Sequence, residues 1–411
     1  MKTKNTLFIG FAAGAAMMLV FSVLLANSSI SKNENIVTSE ITERDVYYPG
    51  TEGLAPDEMR IVALGTGMPN ARPKQAATCF LVELGNGDKF LFDIGSGSAE
   101  RISAMKIPYD YLDKIFIGHL HSDHIGDLGA LWIGGVVGNR VTPLRIWGPS
   151  GAEEKYGTKY MAEHLQKAYT WDVDGRVGNT DTRGLSLEVT EFDYKKVNEI
   201  VYQEKGVTIR SFPAIHALDG SVSYTLEWNG LKFAFSSDTY PNKWWMEYTK
   251  DSDLAIHECF ASPKILIDKQ NFPAQTALNV GTQVHTSPAQ FGKVMADINP
   301  RMAVAYHFFN DYDTQPIVLE DIRNTYDGPL SLATDYMVWN VTKEKITTRM
   351  AVVDEEIWPQ PSVFGIKPGN PKDRIGFSKY IWDGRVNYTE ILTKIYTDIN
   401  EEYGTSVEVP K

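Results

Sequence analysis

A layered α/β fold, with sheet covered by helices, is what the 411 residues predict. Three observations predict it. Strand-length apolar runs rich in β-branched and aromatic residues recur from residue 59 to residue 309. Some of these runs follow one another like hairpins, while others are separated by helix-compatible segments. Hydrophobic content of 43% with 22% charged residues is ordinary for a chain that buries one large core or two smaller ones. There is no fixed-period self-similarity and no low-complexity tract.

The chain opens with MKTKNTLFIGFAAGAAMMLVFSVLLANSS, which places Lys2 and Lys4 ahead of an uncharged apolar run from Leu7 to Ala26. A positive region before a hydrophobic segment reads as an export signal. At 20 residues the run could also span a bilayer, and its Leu24, Leu25, Ala26 end is a mediocre cleavage site. Residues 1–30 are therefore expected to be a signal peptide or an N-terminal membrane anchor that engages the membrane or the export machinery. Under either reading the positive-inside rule puts the remainder outside the cytoplasm, periplasmic, secreted or held at the inner membrane. Residues 31–58 read as a polar linker.

The main domain is expected over 59–345. It begins with MRIVALGTG, and the runs CFLVEL, KFLFD, KIFIGH, LRIWG, VTIRSFPAIH, SYTLEW, LKFAFSSD, LAIHE and MAVAYHFF follow as strands. Residues 151–169 and 287–298 read as helices, the second with Ser287 as cap and Pro288 at its first position. His164, inside the first of these amphipathic stretches, reads as an ordinary helix residue. Residues 346–411 turn Pro- and Gly-rich before one last helical segment, and are expected to pack on the main domain as an extension. Cys79 and Cys259 are far apart and lack CxxC spacing, so they are expected in the core, although a single disulfide stays open in an exported chain. The net charge of -12 argues against affinity won by neutralising a phosphate backbone, so no nucleic-acid partner is expected. A small anionic substrate held by metal ions is compatible with it.

Several strand-like runs end in a potential metal ligand. KFLF runs into Asp93, KIFIG into His119 and His121, SFPAI into His216, KFAFSS into Asp238, and MAVAY into His307. Ligands at neighbouring strand ends converge at one rim of a sheet, which suits a preorganised site. In HLHSDHIGDLGAL, His119 and His121 share one side of an extended segment. Asp123 and His124 then fall at the turn into a helix start. Imidazole and carboxylate without thiolate suit zinc, with manganese or iron as competitors.

HLHSDH matches the H-x-H-x-D-H motif of the metallo-β-lactamase superfamily, and the rest of that motif series follows in order. Asp93 in LFDIGSG resembles the first-motif aspartate, His216 the third-motif histidine, Asp238 in FSSDT the bridging aspartate, and His307 the last-motif histidine. The resemblance covers roughly residues 59–310. It implies a four-layer αβ/βα sandwich with a dinuclear zinc site, two ions per chain, at one edge of the sheets. By that similarity His119, His121 and His216 hold one ion, Asp123, His124 and His307 the second, and Asp238 bridges them. The implied chemistry is hydrolysis by a water made acidic between two metal ions. Position 121 is His rather than Glu, which resembles the zinc hydrolases more than the diiron oxygen reductases. Asp93 is expected to orient ligands by hydrogen bonds rather than to bind metal.

ALGTGMPNARP, HECF at 257–260, and HTSPAQFGKVM followed by AVAYHFF resemble the pattern shared by ribonuclease Z, related phosphodiesterases and arylsulfatases. His257 and Glu258 are accordingly expected to support the ligands. His285 is expected to protonate the leaving oxygen, with Asp123 orienting or deprotonating the water. Ribonuclease Z itself fits poorly. Its bacterial form carries a long arm for transfer RNA between the third-motif histidine and the bridging aspartate, and only 21 residues separate His216 from Asp238. PAIHALDG also lacks the G-H-T-x-G form of many β-lactamases, glyoxalases and lactonases. The expectation is an exported zinc hydrolase acting on a small phosphodiester or similar ester. Its rivals are sulfatase, lactonase or β-lactamase activity at the same site, and a non-catalytic metal-binding protein. Trp132, Trp147, Trp244 and Trp245 are candidates for a pocket wall, though core packing is the commoner fate of Trp. Arg72 and Lys74 are weak candidates for contacting an anion. The oligomeric state is not legible.

Overall fold

Between residues 59 and 351, fifteen strands build two sheets that face each other. The structure is a computed structural model describing residues 45–409. The expected signal or anchor and the linker up to residue 44 lie outside the described residues. The chain divides into Met1–Tyr47, of which the two-residue strand Val46–Tyr47 is described, and a body, Tyr48–Lys411.

In chain order the strands of the body are β1 (Met59–Gly65), β2 (Cys79–Leu84), β3 (Lys89–Phe92), β4 (Lys114–Phe116), β5 (Leu144–Pro149), β6 (Leu187–Phe192), β7 (Glu199–Glu204) and β8 (Val207–Pro213). Then follow β9 (Val222–Trp228), β10 (Leu231–Phe235), β11 (Leu254–Glu258), β12 (Met302–Tyr306), β13 (Leu330–Leu332), β14 (Met337–Val341) and β15 (Ile346–Ala351). Within the body the first sheet runs β15-β14-β1-β2-β3-β4-β5-β6 and the second β13-β12-β11-β10-β9-β8-β7. Each is mixed: β15-β14-β1-β2-β3 and β7-β8-β9-β10 pair antiparallel, while β3-β4-β5-β6 and β10-β11-β12-β13 pair in parallel. Parallel neighbours need crossover helices, and those cover the outer faces.

The inner faces interdigitate through aromatic side chains, with Phe92 against Phe233 at 5.1 Å between ring centroids and Phe80 against Tyr306 at 5.1 Å. Alternation sends Leu91 and Ile115 the other way, also fully buried. The outer face of the second sheet packs Ala255 and Ala303 against Phe291 and Met295 of the helix Pro288–Ile298. That helix has its expected cap, Ser287, in a full capping box with Gln290. The result is the expected αβ/βα sandwich.

Three expectations shift. The strand Ile346–Ala351 pairs with β14, so the sheet continues past the expected boundary at residue 345. Part of the expected linker is tied to the body, because Glu52 accepts from Arg349 at 2.5 Å and Glu58 from Asn340 at 2.6 Å. The extension meets the body as far as Arg374, which lies against Gly178, but residues 375–408 are exposed throughout apart from three half-buried positions, short of the packing expected for the whole extension. Cys79 and Cys259 are free, buried thiols, as core residues should be. Among the described residues no helix is long and apolar enough to cross a membrane.

Candidate metal centre

Five strands of the two sheets end at a common rim, and each delivers side chains just past its last residue. Asp93 follows β3, His119 and His121 follow β4, His216 follows β8, Asp238 follows β10 and His307 follows β12. Asp123 and His124 sit inside a one-turn helix, Ser122–Ile125, rather than ahead of one. Three residues at this rim adopt left-handed backbone without being glycine: Asp93 (φ 58°), Ser237 (φ 50°) and His307 (φ 73°). Such conformations cost on the order of 1 kcal/mol each and collect where the surroundings over-determine a site. Here the clamp includes His307 N donating to Thr66 O at 3.0 Å and Asp93 N to Phe116 O at 2.9 Å.

Three groups of ligand-type atoms result, each with its atoms within 4.8 Å of one another: His119, His121, His216 with Asp238; Asp123, His124, His307 with Asp238; and Glu258, His285 with the same Asp238 and His307. His121 Nδ1 lies 3.0 Å from His119 Nε2 and 3.1 Å from His216 Nε2, and one proton cannot serve three converging nitrogens. In the second cluster His307 Nε2 is 3.0 Å from Asp123 Oδ2 and 3.2 Å from Asp238 Oδ2, while His124 Nε2 is 3.3 Å from Asp238 Oδ1. Asp123 Oδ1, His124 Nε2 and Asp238 Oδ1 are buried without a hydrogen-bond partner. Orphaned buried atoms of this type are costly unless something else satisfies them, and a cation is what this donor set suits. All seven expected ligands are thus brought together.

The outer ring nitrogens are already occupied, and this fixes which nitrogen faces inward. His124 Nδ1 donates to Asp93 Oδ2 at 2.6 Å, and His216 Nδ1 to Val284 O at 3.2 Å. His119 Nδ1 donates to Ser237 Oγ at 3.1 Å, and that hydroxyl donates onward to Asp93 Oδ2 at 3.1 Å. Each imidazole therefore keeps an Nε2 lone pair for a metal. Asp93 plays its expected orienting part, with Gly118 N donating to its Oδ1 at 2.7 Å. Position 118 must be glycine, since a Cβ there would stand 2.1 Å from Ser237 Oγ.

Burial pushes His216 down to about 4 and drives His119 well below the ordinary histidine value, so both are neutral, the form a metal would need. Burial would lower His124 too, but the Asp238, Asp123 and Asp93 carboxylates outweigh it and raise its pKa well above normal. That sign reports a site short of positive charge.

In the third group, His285 Nδ1 lies 2.9 Å from Glu258 Oε2 and 3.8 Å from Asp238 Oδ2. Its ring stacks on Phe260 at 4.1 Å and 7°. Thr239 N also donates to Glu258, so the carboxyl is held from two sides. Its buried position raises its pKa well above the ordinary carboxylate value. His257 does not reach the ligands. It is fully buried with Nδ1 donating to Glu258 O at 2.7 Å and its ring edge-on to Trp245 at 4.7 Å.

A cavity of about 220 Å³ opens over the first cluster, lined by His119, His121, His216, Lys155, Tyr156 and Leu218 among others. No tryptophan lines it. Trp132, Trp147 and Trp245 are buried, and Trp244 packs partly on the core. Arg72 and Lys74 are corrected as anion contacts: both are committed to Asp311, at 2.6 and 2.9 Å. Among the lining residues the cation is Lys155, itself paired with Glu153 at 3.0 Å, and nothing but its proximity in the fold marks it. His164 is a surface residue, bonded to Tyr160 O at 2.8 Å.

Fold and site together define a metal-dependent hydrolase of the metallo-β-lactamase fold, in its ribonuclease Z-like branch. The sequence model of the family described as Anti-Pycsar protein Apyc1 matches residues 59–267, just over half of the chain, and the chain belongs to that family. The match ends before His285 and His307. Ribonuclease Z of Mycolicibacterium gilvum is 31% identical over 189 residues, which cover 44% of this chain and 62% of the relative, less than two thirds of its length. Ribonuclease Z of Mycobacterium bovis is 30% identical over 205 residues, covering 48% of this chain and 69% of the relative. The metallo-β-lactamase fold protein YhfI from Bacillus subtilis shares the fold, with a TM-score of 0.52 at 18% identity, covering 69% of this chain and 100% of that one.

Proposed function

We propose that this chain hydrolyses a small phosphodiester, or a closely similar ester, at a dinuclear zinc centre. The observation that carries the reading is the pair of ligand clusters meeting at Asp238. His119, His121 and His216 would hold one ion, Asp123, His124 and His307 the other, and Asp238 would be shared. When bound, two such ions supply Lewis-acid charge and a water acidic enough to act as nucleophile near neutral pH. Manganese or iron could fill the same donor set, which contains no thiolate.

The protein's own groups do the rest. Asp123 Oδ1, buried and without a partner, is free to accept a hydrogen bond from the attacking water and so orient it. Glu258 holds His285 by Nδ1, leaving Nε2 to carry a proton to the departing oxygen. Lys155, which pairs with Glu153 at 3.0 Å, and Asp219 both stand on the cavity wall, so the wall itself carries no net positive charge to select an anion. The relation to ribonucleases Z supports phosphodiester chemistry. A transfer-RNA substrate is disfavoured by the acidic balance and by the hairpin β9–β10, whose two-residue turn Asn229, Gly230 fills the interval where an arm would project.

The test is a panel of chromogenic phosphodiester, sulfate-ester, lactone and cephalosporin substrates, each with and without chelator. Chelator-sensitive turnover of the phosphodiester is expected. Turnover of the cephalosporin alone would contradict the branch, and turnover of only the sulfate ester or lactone would replace the ester class.

A further inference from the structure

The histidines at the rim are not all held in the same way. His119, His124 and His216 each have Nδ1 hydrogen-bonded to a fixed partner. His307 has no such anchor, because its Nδ1 is buried without a hydrogen-bond partner. Its Nε2 nevertheless stands 3.0 Å from Asp123 Oδ2 and 3.2 Å from Asp238 Oδ2. Its ring neighbours Phe260 and His285, at 5.6 and 5.3 Å between centroids, supply contact but no hydrogen bond to set direction. The aim of this ring therefore depends on its backbone.

That backbone is left-handed, with φ 73° at His307, a conformation that a non-glycine residue keeps where its surroundings hold it. Two buried residues from the loop after β1 supply the hold. Thr66 O accepts from His307 N at 3.0 Å, and Gln75 Nε2 donates to Phe308 O at 2.9 Å, so the turn is gripped on both sides of the histidine. The same Gln75 nitrogen donates to Thr66 Oγ1 at 2.9 Å and joins the two grips.

What fixes the pair is Asp335, in the crossing at residues 333–336 that leads from β13 of the second sheet to β14 of the first. Its buried carboxylate takes four donors. Thr66 N and Thr66 Oγ1 meet Oδ1 at 3.1 and 2.9 Å, while Ala76 N and Arg101 Nε meet Oδ2 at 2.7 and 2.5 Å. Hydrogen bonds to an ionised acceptor are roughly twice as strong as neutral ones, so Thr66 has little room to move. Asp335 itself belongs to none of the three ligand groups.

We propose that Asp335 is a positioning residue for the second ion's site: through Thr66 and Gln75 it holds His307 in the turn that aims Nε2 at Asp123 and Asp238. The inference rests on the dinuclear reading above, and it gives the two halves of the centre different supports. His119 and His216 are oriented through their own side chains, so the first ion's site does not depend on Asp335. A merely structural carboxylate, tying the β1 loop to the sheet crossing, would lower stability without singling out one ion.

The test loads the full chain, in a detergent that keeps its apolar leader soluble, with zinc and dialyses it against graded zinc buffers. Elemental analysis then gives the affinity of each ion. In Asp335→Asn one ion is expected to bind as in wild type and the other roughly 10- to 100-fold more weakly, the usual effect of losing a residue that orients a ligand. The visible spectrum of the cobalt-loaded variant should match that of His307→Ala and differ from that of His216→Ala. Should Asp335→Asn fail to fold, Thr66→Val cuts the Oγ1 links to Asp335 and Gln75 while keeping the branched shape and the carbonyl that His307 uses, and the same selective weakening is expected. Equal weakening of both ions, or two ions bound as tightly as in wild type by the folded variant, would overturn the positioning role and leave the dinuclear centre standing. A wild-type chain that binds no zinc would remove the reading on which the inference rests, and the inference with it.

Discussion

His119, His124 and His216 each donate one ring nitrogen to a fixed acceptor, and that commitment leaves the other nitrogen available to a metal. His285 is the instructive contrast: it shares a group with Asp238 and His307, but its Nδ1 is taken up by the Glu258 carboxyl. Replacing it with alanine is expected to leave the metal content unchanged and to lower kcat by roughly 10²–10⁴, the usual worth of a positioned general acid. Glu258→Gln, which keeps a hydrogen-bonding partner but not the carboxyl, should fall between and displace the alkaline limb of the pH–rate profile. Full kcat in the His285→Ala variant would remove the proton-donor role. The seven ligand positions and Asp93 were legible because type, order and spacing in HLHSDH and its partners leave few alternatives. Ser237 and Lys155 were not, because a serine beside the bridging aspartate and a lysine in GAEEKYG look like any surface residue until folding brings them to His119 and the cavity.

At the level of elements, β11 shows how a strand can carry a titratable group without exposing it. His257 is fully buried, and burial pushes its pKa down to about 4. In the unfolded chain it titrates near 6.5, so between pH 6.5 and 4 the unfolded state binds a proton that the folded state refuses. The linked stability is complete above 6.5 and is lost as pH falls towards 4, by about 3 kcal/mol at 1.36 kcal/mol per unit. Comparing wild type with His257→Gln by denaturant unfolding isolates this contribution, since the ligand histidines titrate in both. The stability difference should shrink on acidification, and a pH-independent difference would contradict the assignment. The strands that end in ligands were legible as fully buried apolar runs. Among those that escaped, Leu187–Phe192 and Glu199–Glu204 are half exposed and their Glu residues break the apolar pattern, Leu330–Leu332 is only three residues long, and Met337–Val341 is a short run interrupted by Asn340. The strand Ile346–Ala351 was hidden the same way by Thr347, Thr348 and Arg349.

Across the whole molecule, the two sheets matter because they hold one rim rigid. Phe80, Phe92, Phe233 and Tyr306 lock the inner faces together directly beneath the strand ends that carry Asp93, His119, Asp238 and His307. Ligand-type side chains from both sheets can then stay within a few ångströms of one another without a binding partner to pull them together. The layered architecture was legible from strand and helix alternation, and its sandwich form from the motif series. The exposed end of the extension was not, because a Pro- and Gly-rich tail with scattered aromatics reads the same whether or not it packs on the body. The central claim is that the shared Asp238 marks a centre for two metal ions. Elemental analysis of the full chain purified in metal-replete medium tests it most directly: about two transition-metal ions per chain are predicted, with loss of metal in Asp238→Ala, and a value near zero in the wild type would contradict it.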